Sequence, residues 1–129
     1  MATDKFRSIG EAFVQQYYTL FDDATRRHEL ANFYSQTNAK MSFEGDTVFG
    51  KDFIIAKIMN LPFREIKREF TVIDCQPLIN DGVFVQVIGR LKTDDDPPNS
   101  FSQVFILQVE NGSYFIHNDN FRLVLHNSG

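Results

Sequence analysis

The chain has 129 residues, 43% hydrophobic and 23% charged, which suits a single folded domain over residues 1–129 and excludes global disorder. Thirteen Lys and Arg against seventeen Asp and Glu leave a net charge of −4, the wrong sign for holding nucleic acid by neutralising its phosphates. One cysteine, Cys75, excludes an internal disulfide and a Cys-rich zinc site, and no run approaches the ~18 apolar residues of a membrane span, so neither nucleic acid nor membrane is expected as a partner.

Phe6, Ile9, Phe13, Tyr17 and Leu20 recur at helical spacing, predicting a long first helix that Thr3 or Asp4 can cap. Leu30, Phe33 and Tyr34 predict a shorter second helix with Thr25 as its cap. Residues Ala39 to Glu44 alternate with period two, as a half-buried strand does, and Gly45-Asp46 turns the chain. Ile54, Ile55, Ile58 and Leu61 predict a third helix over 52–61, which Pro62 ends.

Beyond Pro62 the pattern becomes strand-like. Segments 68–73, 83–92, 101–110 and 113–125 are rich in Val, Ile and Phe, and Asn80-Asp81-Gly82 and Asn111-Gly112 supply the positive φ angles of tight turns. Neighbours joined by tight turns run antiparallel. Helices followed by a meander predict an α+β domain with helices on one face of a curved antiparallel sheet. In the strands near 83–91 and 101–110 both parities are largely apolar. The second face therefore needs a cover, and a second copy of the chain is the natural one.

Several motifs reduce to structure. Gly45 to Lys51 matches the first seven positions of a phosphate-binding loop, but Asp52 stands where the magnesium-binding Ser or Thr belongs and Asp46 adds unwanted negative charge. Asn111-Gly112-Ser113 is a formal glycosylation sequon in a predicted hairpin turn, and Met1 to Lys5 lacks an apolar signal core. His28, His117 and His126 show no metal-ligand spacing, so no cofactor or metal is expected. Cys75 has no adjacent base and reads as a small buried hydrophobe.

The acidic residues are harder to dismiss. Asp94-Asp95-Asp96, with Glu44 beside Phe43, can form a solvated loop, an acidic rim selecting an apolar side chain flanked by Lys or Arg, or the base of a catalytic pocket.

Read end to end, the sequence resembles the nuclear transport factor two family, small importers of GDP-bound Ran. The resemblance rests on Phe13-Val14-Gln15-Gln16-Tyr17-Tyr18, Leu20-Phe21-Asp22, Phe43-Glu44-Gly45, Gly50-Lys51 and Leu61-Pro62-Phe63. It continues through Gln76-Pro77, Gly89-Arg90-Leu91-Lys92, Asp94-Asp95-Asp96-Pro97, Phe101-Ser102-Gln103-Val104-Phe105, Asn118-Asp119, Phe121-Arg122-Leu123 and Leu125-His126-Asn127. It implies a cone-like curved antiparallel sheet around a long N-terminal helix, three helices in all, a hydrophobic cavity and a homodimer. It also implies that Phe43, Glu44, Asp94 and Asp96 receive Ran, that Phe6 helps bind FxFG repeats of nucleoporins, and that the protein moves between cytoplasm and nucleus, concentrated at the nuclear pore. Phe6 and Phe43 stand where vertebrate members resemble one another in having Trp, so each position keeps an aromatic ring without the indole donor. The family's importers are not enzymes. Similar cones do act as ketosteroid isomerases and scytalone dehydratases, which leaves a small-molecule isomerase or dehydratase as the alternative, with Tyr17 its candidate acid.

Overall fold

The computed structural model describes residues 5–125. Helix α1 (Lys5–Phe21) is followed by a 3-10 helix (Arg27–Phe33), strands β1 (Lys40–Phe43) and β2 (Asp46–Phe49), and helix α2 (Lys51–Met59). Strands β3 (Ile66–Pro77), β4 (Val83–Thr93), β5 (Asn99–Glu110) and β6 (Ser113–Leu123) complete the chain, with a single 3-10 turn (Ile79–Asp81) between β3 and β4. The six strands form one open sheet in the order β2-β1-β6-β5-β4-β3. The α+β cone with three helices is present, and residues Thr3 and Asp4, the expected caps of α1, lie outside the described residues.

Three expectations are corrected. The sheet is mixed, because β1 pairs with β6 in parallel while its other four pairings are antiparallel. No hairpin joins β1 to β6, so no turn imposes their relative direction. The second helix is 3-10 and is not capped by Thr25, whose backbone N–H and hydroxyl both donate to the Asp23 carboxylate instead. Tyr34 lies just past that helix in extended conformation and bridges to Ile116 of β6. Finally, α2 stops at Met59, two residues short of Leu61, because Pro62 disfavours helical geometry in the residue before it.

The turns obey the reading of positive φ. Glu44-Gly45 and Asn111-Gly112 are two-residue hairpin turns with both residues at positive φ, the twist that matches right-handed strand pairs. The first of these turns sits one residue earlier than Gly45-Asp46.

The core lies between α1 and the concave sheet face. Helix α1 buries Gly10, Val14, Tyr17, Tyr18 and Leu20, so its buried face is wider than the predicted stripe and is rotated toward Val14 and Tyr18. Tyr17 and Tyr18 pack edge-on against Phe105, and Phe13 does the same. Close approach of helix to sheet depends on Gly10, where an added Cβ would stand 2.4 Å from the Cys75 Sγ. Burial pushes the Cys75 thiol up, away from the reactive thiolate.

Val83, Val85, Val87 and Leu91 of β4 and Phe101, Phe105 and Leu107 of β5 point into this core. Their alternates form the opposite face, where Phe84 pairs with Ile106, Gln86 with Val104 and Val72 with Ile88 across adjacent strands. Val72 and Ile88 are each 37% exposed. An apolar patch of Val72, Phe84, Ile88, Val104 and Ile106, interrupted by Gln86, therefore lies on the convex side of the sheet.

Candidate functional site

A cavity of about 230 Å³ opens beyond the C-terminal half of α1, between α2 and the concave face of the sheet. Its walls are apolar: Phe21 from α1, Ile58 and Leu61 from α2 and its C-terminal extension, Met41 and Phe43 from β1, and Leu91, Phe121 and Leu123 from the sheet. Phe43 stacks on Phe121 at 4.9 Å between ring centroids, and Phe121 stacks on Phe101 at 5.9 Å. These offset stacks fix the ring planes along one side of the cavity.

Glu44 follows Phe43 directly, at φ 53°, and its side chain is exposed. Its backbone N–H donates to the Phe121 carbonyl at 3.0 Å, and its carboxylate accepts the Leu123 N–H. Both bonds tie the hairpin turn to the end of β6 and hold an anionic side chain beside two residues that line the cavity. Asp96 lines the cavity itself, its own N–H bonded to the Thr93 carbonyl at 2.9 Å.

Asp94 is placed differently. Its backbone is left-handed at φ 48°, and its carboxylate accepts the N–H groups of Arg64 at 3.2 Å and Glu65 at 2.9 Å. The Asp94 N–H donates in turn to the Glu65 carbonyl at 2.9 Å. Asp94 therefore clamps the 94–98 loop to the start of β3 and does not line the cavity. Phe6 is also apart from it, in the first turn of α1 and about 17 Å along the helix axis from Tyr17. Its ring is half-buried, with the Arg7 guanidinium 5.6 Å from its centroid.

The polar floor of the cavity is the part that spacing did not reveal. Asp119, on β6 and 2% exposed, accepts hydrogen bonds from Tyr34 at 2.7 Å and Tyr17 at 3.3 Å on Oδ2 and from the Gln103 amide at 2.8 Å on Oδ1. With one proton on each hydroxyl, Tyr34 donates to Asp119 while Tyr17 shares its proton between the Tyr34 oxygen, at 2.8 Å, and Asp119, and Tyr18 donates to the Gln103 Oε1. Burial pushes the Asp119 carboxyl up to about 6, against the opposing pull of these three donors. Burial likewise raises all three tyrosines, so they remain neutral donors. A β-bulge explains why the strand pattern hid Asp119. Leu107 pairs with Ile116 but Ile106 pairs with Asn118, so His117 is an extra residue that brings Asp119 and Phe121 to the inward parity of Ile116.

Two cations line the same cavity, and each has its own counter-charge. Arg68 forms a bidentate pair with Asp22 at 3.0 and 2.6 Å and lies 4.2 Å from the Tyr18 ring centroid and 4.9 Å from that of Phe101. Lys57 pairs with Asp46 at 2.7 Å.

As chemistry this floor binds better than it reacts. A base that abstracts a substrate proton needs an acid or oxyanion donor on the far side of the substrate. Here both tyrosine hydroxyls and the amide converge on the one carboxylate, so Tyr17 is spent on Asp119 and Tyr34. A second cluster looks more like a triad than it is. Glu110 accepts from Ser35 at 2.7 Å and lies 2.6 Å from the His117 Nε2, which puts the acid in the middle and leaves the histidine unable to activate the serine. Among the described residues no group of three or more His, Cys, Asp or Glu is arranged to hold a metal ion. Nor is any helix among them long and apolar enough to cross a membrane. The partial phosphate-loop match is broken by structure: Gly45 lies in a turn, Val48 and Phe49 in β2, and Lys51 begins α2.

This architecture and this sequence have relatives. The sequence profile of the nuclear transport factor 2 domain matches residues 9–123. A probable nuclear transport factor 2 of Caenorhabditis elegans is 48% identical over 127 residues, covering 95% of this chain and 96% of the relative. Nuclear transport factor 2 of Dictyostelium discoideum is 39% identical over 119 residues, covering 91% of each chain. The solved structure of nuclear transport factor 2 from Cryptosporidium parvum superposes with a TM-score of 0.86 at 39% identity, covering 93% of this chain and 95% of that one. With likeness of this extent in profile, sequence and fold, the chain belongs to the nuclear transport factor 2 family.

Proposed function

We propose that this protein is a non-enzymatic nuclear import carrier for GDP-bound Ran. The observation that carries the reading is the cavity with an aromatic side wall at Phe43 and carboxylates of Glu44 and Asp96 beside it. Such a site suits a protruding apolar side chain flanked by basic residues. The relatives named nuclear transport factor 2 support the transport role. Asp94 contributes by holding the loop that presents Asp96, and Phe6, at the other end of α1, serves FxFG repeats of nucleoporins. The carrier works between cytoplasm and nucleus and concentrates at the nuclear pore.

The test is capture of purified Ran in each nucleotide state. GDP-bound Ran is expected to bind and the GTP form is not, because γ-phosphate holds the switch segments in another conformation. Equal binding of the two forms, or none, would overturn the reading.

The convex apolar patch supports a homodimer, since a twofold axis would set Val72, Phe84, Ile88, Val104 and Ile106 of one copy against the same residues of another and cover both. Light scattering at micromolar concentration is expected to give twice the 14.9 kDa of the chain. A monomer mass would remove the dimer from the proposal.

A further inference from the structure

We propose that the floor of the cavity binds a small organic ammonium ion, a single-ring arylalkylamine in size, with the Asp119 carboxylate as its counter-charge. Charge inside the cavity is not fully balanced. Arg68 is neutralised by Asp22 and Lys57 by Asp46, whereas among the described residues no cation pairs with Asp119. A buried carboxylate without a cation is costly and would be replaced by an amide at no loss of shape.

Its bonding is also incomplete. A carboxylate offers about four lone-pair sites, and Asp119 uses at most three: one on Oδ1 to Gln103, one on Oδ2 to Tyr34, and a share of the Tyr17 proton. The walls above it are lined by the rings of Tyr17, Phe21, Phe43 and Phe121, which cover the apolar part of the same molecule. The volume of about 230 Å³ is below the usual range for drug-sized ligands and limits the occupant to a single ring. The neighbours that face Asp119 are Tyr17 and Tyr18 from α1, Tyr34 and Gln103, with Arg68 beyond the tyrosines. The tyrosines stay neutral, and Arg68 is held by Asp22 through Nε and Nη2, with its Nη1 buried and without a hydrogen-bond partner. Ligand charge is therefore read by Asp119.

The inference does not rest on Ran. Phenethylamine, its neutral isostere 2-phenylethanol and the anion 3-phenylpropanoate are titrated into the full chain alone, by calorimetry and ligand-observed NMR. At pH 7.5 the amine is expected to bind at least tenfold more tightly than the alcohol, and the anion more weakly than either. Between pH 7.5 and pH 5 amine affinity should fall about tenfold as the carboxylate takes up its proton, with alcohol affinity unchanged. Asp119→Asn should erase the preference for the amine and keep binding of the alcohol, which also reports that the cavity is folded. Asp95→Asn, exposed in the neighbouring loop and not lining the cavity, should keep the preference. Equal affinities for amine and alcohol, a preference that survives Asp119→Asn, or no binding of any probe would overturn the inference. Should Asp119→Asn fail to fold, the contrast between amine and alcohol across pH in the unaltered protein decides alone. Ran binding without amine binding would overturn only this inference, and amine binding without Ran binding only the carrier reading.

Discussion

Glu44→Lys is expected to lower the affinity for GDP-bound Ran by at least about 30-fold. Removing one partner of a hydrogen-bonded charge pair at an interface typically costs about 2–5 kcal/mol, and reversing the sign adds repulsion to that loss. Asp96→Lys should act similarly, since Asp96 lines the cavity. Asp94→Asn should do less, because one amide oxygen can still accept the Arg64 and Glu65 N–H groups and keep the loop clamped. Asp95→Lys is the control for net charge: the residue is exposed in the same loop and does not line the cavity. All four variants should remain folded, since Glu44 contributes one exposed hydrogen bond and the others belong to a surface loop. Affinities measured at low and moderate salt settle the matter. Equal losses from Asp95→Lys and Glu44→Lys would reduce the rim to a general electrostatic effect.

The acidic positions also show what a linear reading can and cannot locate. Phe43 and Glu44 were legible because they sit at a strand end before a turn, where local pattern fixes position. Asp94, Asp95 and Asp96 are alike in sequence, and nothing in their spacing separates the member that clamps a backbone from the one that lines a cavity. That division follows from the left-handed backbone at Asp94, which turns its carboxylate toward residues thirty positions earlier in the chain.

The fold divided along the same line. Hairpins were legible from Asn111-Gly112 and from the apolar runs on either side, because turn chemistry is local. The parallel pairing of β1 with β6 was not, because it is a contact between distant segments that no intervening turn encodes. Asp119 was concealed twice over. A bulge at His117 shifts its parity, and its donors Tyr17, Tyr34 and Gln103 come from three separate parts of the chain. Tyr17 was visible as a helix-stripe residue, but its aim could be known only from the partner it meets.

That concealed carboxylate carries the other large expected effect: Asp119→Asn should gain stability relative to the unaltered protein as pH rises from 4 to 7. In the folded chain burial raises the carboxyl to about 6, whereas in the unfolded chain it returns to about 4. Folding therefore favours the protonated form. Below pH 4 both states are protonated and the group adds no penalty; as pH passes from 4 through 6 the unfolded state ionises freely while the folded state resists, and stability is lost. Above pH 6 the loss is complete. A difference of about two pKa units corresponds to about 3 kcal/mol, and the full burial of the group leaves no solvent screening to discount it. Asparagine has no such titration, and the remaining carboxylates titrate alike in both proteins, so the difference between the two unfolding free energies isolates this group. Urea unfolding of both proteins at pH 4, 5, 6 and 7 should show that difference widening by about 2 kcal/mol in favour of the variant, part of the penalty being already present at pH 4. A difference that stays constant across the range would mean that Asp119 titrates as a solvated carboxylate and that the floor is open to water. A widening difference would mean that the fold keeps a charge at its own expense, as a binding site for a cation requires.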